Sequence, residues 1–80
     1  MMDSIDSFGY WVRRRRKTLD LTQVKLAQRV GCSVVTIRKI EREERRPSRQ
    51  LAELLADHLV IADAERDNFI RLARGEFVGS

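Results

Sequence analysis

The feature that most constrains this chain is a helix stop signal followed at once by a helix start signal, at Gly31 and Ser33. Leu26, Ala27 and Val30 precede the glycine at the spacing of one helix face. Glycine commonly ends a helix in the left-handed conformation, and a serine side chain accepts hydrogen bonds from the free N–H groups of a new helix. Two helices joined by so short a connection must turn sharply against each other.

Caps and apolar periodicity predict helices along the rest of the chain, and no segment has the alternating pattern of a strand. Asp20 breaks the first helix, because a short acidic side chain tolerates the left-handed backbone that glycine usually takes. The polar segment 43–47 separates the third helix from the fourth. We therefore predict an all-α fold of five short helices around one core. The helices begin at about Ser7, after Thr22, after Ser33, at Ser48 and after an N-cap at Asp63.

The composition indicates one globular domain without catalytic or metal-binding groups. The chain has 80 residues, of which 42% are apolar and 35% charged, as is ordinary for a folded domain. Its single cysteine, Cys32, and single histidine, His58, are too few for a disulfide, a four-ligand zinc site or a convincing catalytic set. No apolar run approaches the roughly 20 residues that span a bilayer, and the acidic first residues do not resemble a secretory signal. We expect no enzyme activity, no cofactor, no metal and no membrane association, and a cytoplasmic location.

The charges are distributed unevenly along the chain. The net charge is +4, yet residues 13–49 contain 13 of the 16 lysines and arginines and have a local balance of +9. The rest of the chain has a balance of −5. This polarity predicts a basic face for a polyanion such as nucleic acid. Solvated helix surface is the alternative interpretation.

The predicted third helix has two faces of different chemistry. Ile37 and Ile40 point to one side, where they would pack against the core. The opposite side mixes two valines with three cations, whereas an ordinary amphipathic helix has polar residues there. This mixture suits the major groove of DNA, because Arg and Lys donate to guanine O6 and N7 while an apolar side chain covers a thymine methyl. Incomplete burial under a neighbouring helix is the alternative for the valines. The residues of this face, which lie within about 140° of one another, are Val34, Val35, Arg38, Lys39 and Arg42.

The segment 22–41 resembles the helix-turn-helix of the phage Cro and repressor family, which includes bacterial regulators named for a xenobiotic-response repressor. The similarity extends from Phe8 to about Ile61, so several separated elements agree. It implies a lambda-repressor-like DNA-binding domain over residues 8–74, with the helix-turn-helix formed by helices 2 and 3. A flexible leader over residues 1–7 and a tail over residues 75–80 would flank it. The matching elements are Thr22–Gln23, Leu26–Ala27, Gly31, Ser33, Ile37 with Ile40–Glu41, and Arg45–Ser48.

The resemblance also implies which positions contact DNA. Phosphate contacts set the position of the protein on the duplex, whereas base contacts determine the sequence that is read. Phosphate contacts, in part with contacts to base edges, are implied for Thr22, Gln23, Ser33, Thr36, Arg45 and Arg46. Base reading is implied for Val34, Val35, Arg38 and Lys39, with Arg42 on the same face.

Two further positions match a structural pair of the family, and two depart from its pattern. Arg16 and Glu41 correspond to a partly buried ion pair that ties the first helix to the third, so removal of one partner would leave the other charge buried without a partner. Glu43 replaces the glycine often found after the third helix, so that the connection turns differently or the helix continues. Arg15 lies at a usually apolar position, which implies a packed stem with its charged end in solvent.

These observations predict a transcriptional regulator that binds double-stranded DNA sequence-specifically, in the bacterial cytoplasm at the nucleoid. Because one such domain buries little surface on DNA, we expect a second copy on a half-site about one helical turn (~34 Å) away. The segment 72–76, LeuAlaArgGlyGlu, resembles the end of amino-terminal modules in larger regulators. This likeness implies a C-terminal effector region.

Two other functions would use the same kind of fold or the same charge. A protein-interaction module, such as an antitoxin or a coactivator, is the first alternative, and a neutral recognition face would favour it. RNA binding is the second, although a helix cannot enter the narrow major groove of RNA. A binding assay that compares duplex DNA with RNA separates these functions.

Overall fold

The computed structural model describes residues 7–75, which form five helices and no strand. The all-α prediction is confirmed. The predicted leader and tail lie, apart from Ser7 and Gly75, outside the described residues. The helices are α1 (Phe8–Thr18), α2 (Gln23–Val30), α3 (Val34–Glu41), α4 (Arg49–His58) and α5 (Asp63–Ala73).

The first four helices each begin with a side-chain cap. A hydroxyl oxygen accepts a hydrogen bond from the backbone N–H three residues later, which satisfies one of the free amides of the first turn. The helix α5 differs, because its N-cap is Ala62 and no side chain caps it. The predicted cap at Asp63 is therefore wrong: Asp63 is already helical, and with Glu65 it places negative charge in the first turn, where the helix dipole favours it. The four capping residues are Ser7, Thr22, Ser33 and Ser48.

A residue with a left-handed backbone follows the end of each helix. The residue after the left-handed one donates its backbone N–H to a carbonyl in the last turn of the preceding helix. Examples are the Leu21 N–H, which donates to the Arg16 carbonyl (3.0 Å), and the Ile61 N–H, which donates to the Ala56 carbonyl (3.0 Å). These bonds close the last turn and reverse the chain within a few residues, which keeps the connections short. The left-handed residues are Asp20, Gly31, Glu43, Val60 and Gly75, and Asp20 and Gly31 confirm the stops predicted from the sequence.

Glu43 has a left-handed backbone with φ +63°, the conformation for which the family that the sequence resembles often has glycine. The helix α3 therefore does not continue through Glu43. Its carboxylate Oε2 accepts a hydrogen bond from the Gly9 N–H at 2.6 Å, in the first turn of α1. Gly9 is itself needed there, because a Cβ at that position would lie 2.6 Å from the Ile40 carbonyl oxygen and 2.7 Å from that of Glu41. The start of α1 therefore packs directly on the end of α3.

The core forms around Phe69, whose side chain is fully buried. Its ring lies 4.7 Å from the Phe8 ring and 5.1 Å from the Trp11 ring, measured between centroids, and the second contact is edge-to-face. Full burial of each such large apolar side chain stabilises the fold by ~1.5–3 kcal/mol. The other fully buried large side chains are Val12, Leu26, Ile37, Ile40, Leu55 and Leu59.

Arg15 joins α1 to the connection between α4 and α5. Its Nε donates to the Leu59 carbonyl at 3.1 Å and its Nη2 to the Val60 carbonyl at 3.3 Å. The residue is half-buried, and its guanidinium binds these carbonyls at the surface, where the contact to Val60 is exposed. A cation is favoured at this position because carbonyl groups without helical partners collect at the end of a helix.

Substitution of Glu43 tests the capping bond to α1. Glu43→Ala loses the bond to Gly9 and keeps an unfavourable left-handed backbone, so we expect the free energy of unfolding to fall by about 1–2 kcal/mol. Glu43→Gly loses the same bond but relieves the backbone, so its loss should be smaller. Denaturant unfolding of both variants measures the difference. An Ala variant as stable as the native domain would contradict the capping role.

Candidate nucleic-acid interface

The helices α2 and α3 pack against each other across a tight turn. Gly31 ends α2 with φ +81°, and the Ser33 hydroxyl caps α3 by accepting from the Thr36 N–H at 3.2 Å. Ile37 and Ile40 face inward and are buried, as the helical wheel predicted. Because these two isoleucines hold one side of α3 against the core, the opposite side is presented to solvent.

The exposed side of α3 brings together four of the predicted contact residues. Val35 is half-exposed, with 50% of its surface accessible, although it is a large apolar residue. The three cations of α3 and its C-cap, which lie one to two turns further along, are all exposed. We call this set the α3 outer face: Val35, Arg38, Lys39 and Arg42.

Val34 does not belong fully to the α3 outer face. It is half-buried and packs against the core cluster, so the packing alternative for the valines applies to this one in part. At the same end of the helix, the Ser33 and Thr36 hydroxyl oxygens lie 3.0 Å apart and form a hydrogen bond. The start of α3 therefore presents two polar hydroxyls beside one partly accessible valine.

A hydrogen-bonded network around Glu41 connects α3 to the two preceding helices. Glu41 Oε2 accepts from Arg16 Nε at 2.7 Å, and its Oε1 accepts from Arg16 Nη2 and Gln23 Nε2, both at 3.1 Å. Arg16 Nη1 also donates to the Leu21 carbonyl at 2.9 Å. The Arg16 and Glu41 side chains are only 11% and 5% exposed. This bidentate pair is largely shielded from water, where charge-assisted hydrogen bonds are stronger than at an exposed surface.

A basic cleft of about 460 Å³ opens over this network, between α1, the start of α2 and α3. Glu41 is its one acidic residue, and that carboxylate is already bound by Arg16 and Gln23. The free N–H groups at the start of α2 add partial positive charge. The cleft, which we call the α2 cleft, therefore offers an anion several donors and no unbound carboxylate. Its lining residues are Arg13, Arg16, Thr22, Gln23, Arg38, Glu41 and Arg42.

Arg45 and Arg46 are adjacent in sequence and both are exposed. Burial raises the pKa of the Cys32 thiol, in the turn between α2 and α3, and the Arg45 charge acts on that pKa in the opposite direction. The guanidinium of Arg46 lies against Gly75, at the end of α5, in the space that a Cβ on that glycine would occupy. Cys32 packs against the core as a partly buried apolar residue.

Two further residues of the α2 cleft are Gln23 and Arg13. Gln23, for which a phosphate contact was predicted, donates its side-chain N–H to Glu41 and lines the α2 cleft. Arg13 lines the same cleft and adds a cation to the contact residues that the resemblance implied. The sequence signal for Arg13 is its position three residues before Arg16 on the same helix, which brings both side chains to neighbouring faces.

Comparison with known protein families identifies the family to which this arrangement of helices belongs. A family model described as helix-turn-helix matches residues 12–59, which include all of α2, α3 and α4 and most of α1. The chain belongs to the Cro/C1-type helix-turn-helix family. The helix-turn-helix unit consists of α2 and α3, and the fold is lambda-repressor-like, as the resemblance implied. Searches of curated proteins and of solved structures gave no match.

Members of this helix-turn-helix family are DNA-binding regulatory domains and not enzymes. Within residues 7–75, no group of three or more His, Cys, Asp or Glu side chains is placed to hold a metal ion. None of the helices in that range has the length and apolar character required to cross a membrane.

Removal of Glu41 tests the network that positions α3. Glu41→Ala leaves the Arg16 guanidinium buried without its carboxylate, and we expect a loss of about 3 kcal/mol in the free energy of unfolding. The exposed pair between Arg49 and Glu53 provides the control, because Glu53→Ala should cost less than ~1 kcal/mol. Chemical denaturation measures both. Equal losses in the two variants would show that the Arg16–Glu41 pair stabilises the fold no more than an exposed ion pair does.

Proposed function

We propose that this domain regulates transcription by binding double-stranded DNA sequence-specifically, with α3 in the major groove. The observation that carries the proposal is the α3 outer face, on which one apolar and three cationic side chains are exposed together. The buried isoleucines on the opposite side of α3 fix the helix against the core. An α-helix fits the width of the major groove, and the base edges there differ for each base pair. The match to a DNA-binding family supports the same function.

Base reading is assigned to the middle of the α3 outer face. Arg38 and Lys39 are exposed, and their N–H groups can donate to guanine O6 and N7. Val35 offers a methyl surface for a thymine methyl, and Val34 adds the part of its side chain that remains accessible. Apolar contacts of this kind make no hydrogen bonds, so most of the discrimination falls to the two cations.

Phosphate contacts are assigned to both sides of α3. On one side, Arg42, Thr22 and Gln23 line the α2 cleft, which takes a phosphate at the edge of the groove. The Ser33 and Thr36 hydroxyls lie at the start of α3 and are suited to a phosphate or a base edge. On the other side, Arg45 and Arg46 follow α3, and both are exposed. We assign the more direct phosphate contact to Arg45, because the guanidinium of Arg46 rests against Gly75.

The small size of the domain favours binding as a pair. A single module of this kind buries a limited surface on DNA, so a second copy on a half-site about one helical turn (~34 Å) away raises the affinity. We place the domain at the bacterial nucleoid, in the cytoplasm, with an effector region C-terminal to it. The competing role as a protein-interaction module predicts no preferred DNA site at all.

Selection from a random duplex library tests the proposal, followed by substitution of the two reading cations. Arg38→Ala and Lys39→Ala should each weaken binding to the selected site by about 1–3 kcal/mol, and binding to random DNA much less. Titration of both duplexes with each variant measures the difference. Equal losses on the two duplexes would reduce these residues to phosphate contacts, and recovery of no preferred site would reject sequence-specific binding.

The salt dependence of binding separates Arg45 from Arg46. If Arg45 neutralises a phosphate, Arg45→Gln should flatten the plot of log affinity against log salt concentration by about one unit. Arg46→Gln should flatten it less, because that guanidinium rests on Gly75 in the free domain. The two variants remove the same charge from neighbouring positions, so each is the control for the other. An unchanged slope for Arg45→Gln would exclude the phosphate contact.

A further inference from the structure

The side of α1 that faces away from the core has a continuous row of cations. A shallow surface cleft of about 460 Å³ follows this row, and every residue that lines it belongs to α1. We call this surface the α1 basic face. Its residues are Tyr10, Arg13, Arg14, Lys17 and Thr18.

The cations of the α1 basic face have no carboxylate partner among residues 7–75. The ion pairs found in that range, with an N···O distance of at most 4.0 Å, involve other residues. Arg13 and Lys17 are four residues apart on one helix, a spacing at which like charges destabilise the helix. Lys17 gains from its position in the last turn, where the helix dipole favours a cation, but Arg13 and Arg14 lie in the middle of α1. Ion pairs within the described domain therefore do not neutralise this concentration of charge.

The α1 basic face begins at the α2 cleft. Arg13 lines both surfaces, and the opposite wall of the α2 cleft is formed by Arg38 and Arg42 of α3 and its cap. The α1 basic face therefore lies on the far side of the cleft from α3. When α3 occupies a major groove and the cleft takes the phosphate at its edge, this face meets the backbone that continues outside that groove.

We propose that the α1 basic face binds the phosphates of the DNA segment that flanks the site read by α3. This inference rests on the proposed function, which it extends by a second, sequence-independent contact surface. Tyr10 Oη accepts from Arg14 Nη1 at 3.5 Å and steadies that guanidinium at the surface. Exposed guanidinium groups bind phosphate oxygens in a bidentate manner, and such contacts add affinity without reading bases.

The double variant Arg14→Gln/Lys17→Gln tests this surface without altering the α2 cleft, which neither residue lines. Each lost phosphate contact reduces the slope of log affinity against log salt by roughly 0.9, so the slope should become less steep by about 1.8. The change should be the same on the selected site and on random duplex. Arg29→Gln/Arg71→Gln removes the same charge from exposed positions on α2 and α5 and should change the slope much less.

The length of the duplex gives a second readout. On a duplex trimmed to the selected site, without flanking backbone, the native domain and Arg14→Gln/Lys17→Gln should bind equally. An unchanged slope on long duplex, an equal effect of the control variant, or a loss confined to the selected site would each overturn the inference. In all three cases the native domain would still select its site, so the proposed function would stand. A native domain that selects no duplex at all would reject both.

Discussion

Three helices of this domain depend on one buried carboxylate, that of Glu41. It accepts hydrogen bonds from Arg16 on α1 and from Gln23 at the start of α2, and it lies on α3 itself. A carboxylate so far removed from water is stable only while these donors remain in place, so the relative positions of the three helices are coupled. The same network forms the floor of the α2 cleft, which links the stability of the domain to the shape of its candidate DNA contact.

The orientation of α3 follows from this coupling together with the packing of its inner side. Ile37 and Ile40 are fully buried, and the Glu41 carboxylate is paired with Arg16. Rotation of α3 about its axis would therefore expose the two isoleucines and separate this ion pair. The outer side is thereby kept in solvent. A rigid helix of this kind presents Arg38 and Lys39 in one arrangement, which lowers the entropic cost of reading a base pair.

The features that could be predicted from the sequence are those set by residues close to each other in the chain. Serine and threonine caps, the stop at Gly31 and the two faces of α3 are local patterns, and the structure has them where they were expected. The bond between Glu43 and Gly9 joins residues 34 positions apart, and the contact between Arg46 and Gly75 joins the two ends of the last helix pair. No local pattern encodes such contacts. The partial burial of Val34 has the same origin, because a helical wheel does not show how far a neighbouring helix extends.

Chemical footprinting of the selected duplex tests most directly whether α3 lies in the major groove. Dimethyl sulfate methylates guanine at N7, in the major groove, and adenine at N3, in the minor groove. The bound domain should protect guanine N7 at the centre of each half-site and leave adenine N3 reactive there, and Arg38→Ala should restore methylation of the guanine that Arg38 contacts. Protection of adenine N3 alone, or full reactivity of every guanine in a saturated complex, would show that α3 does not read the major groove.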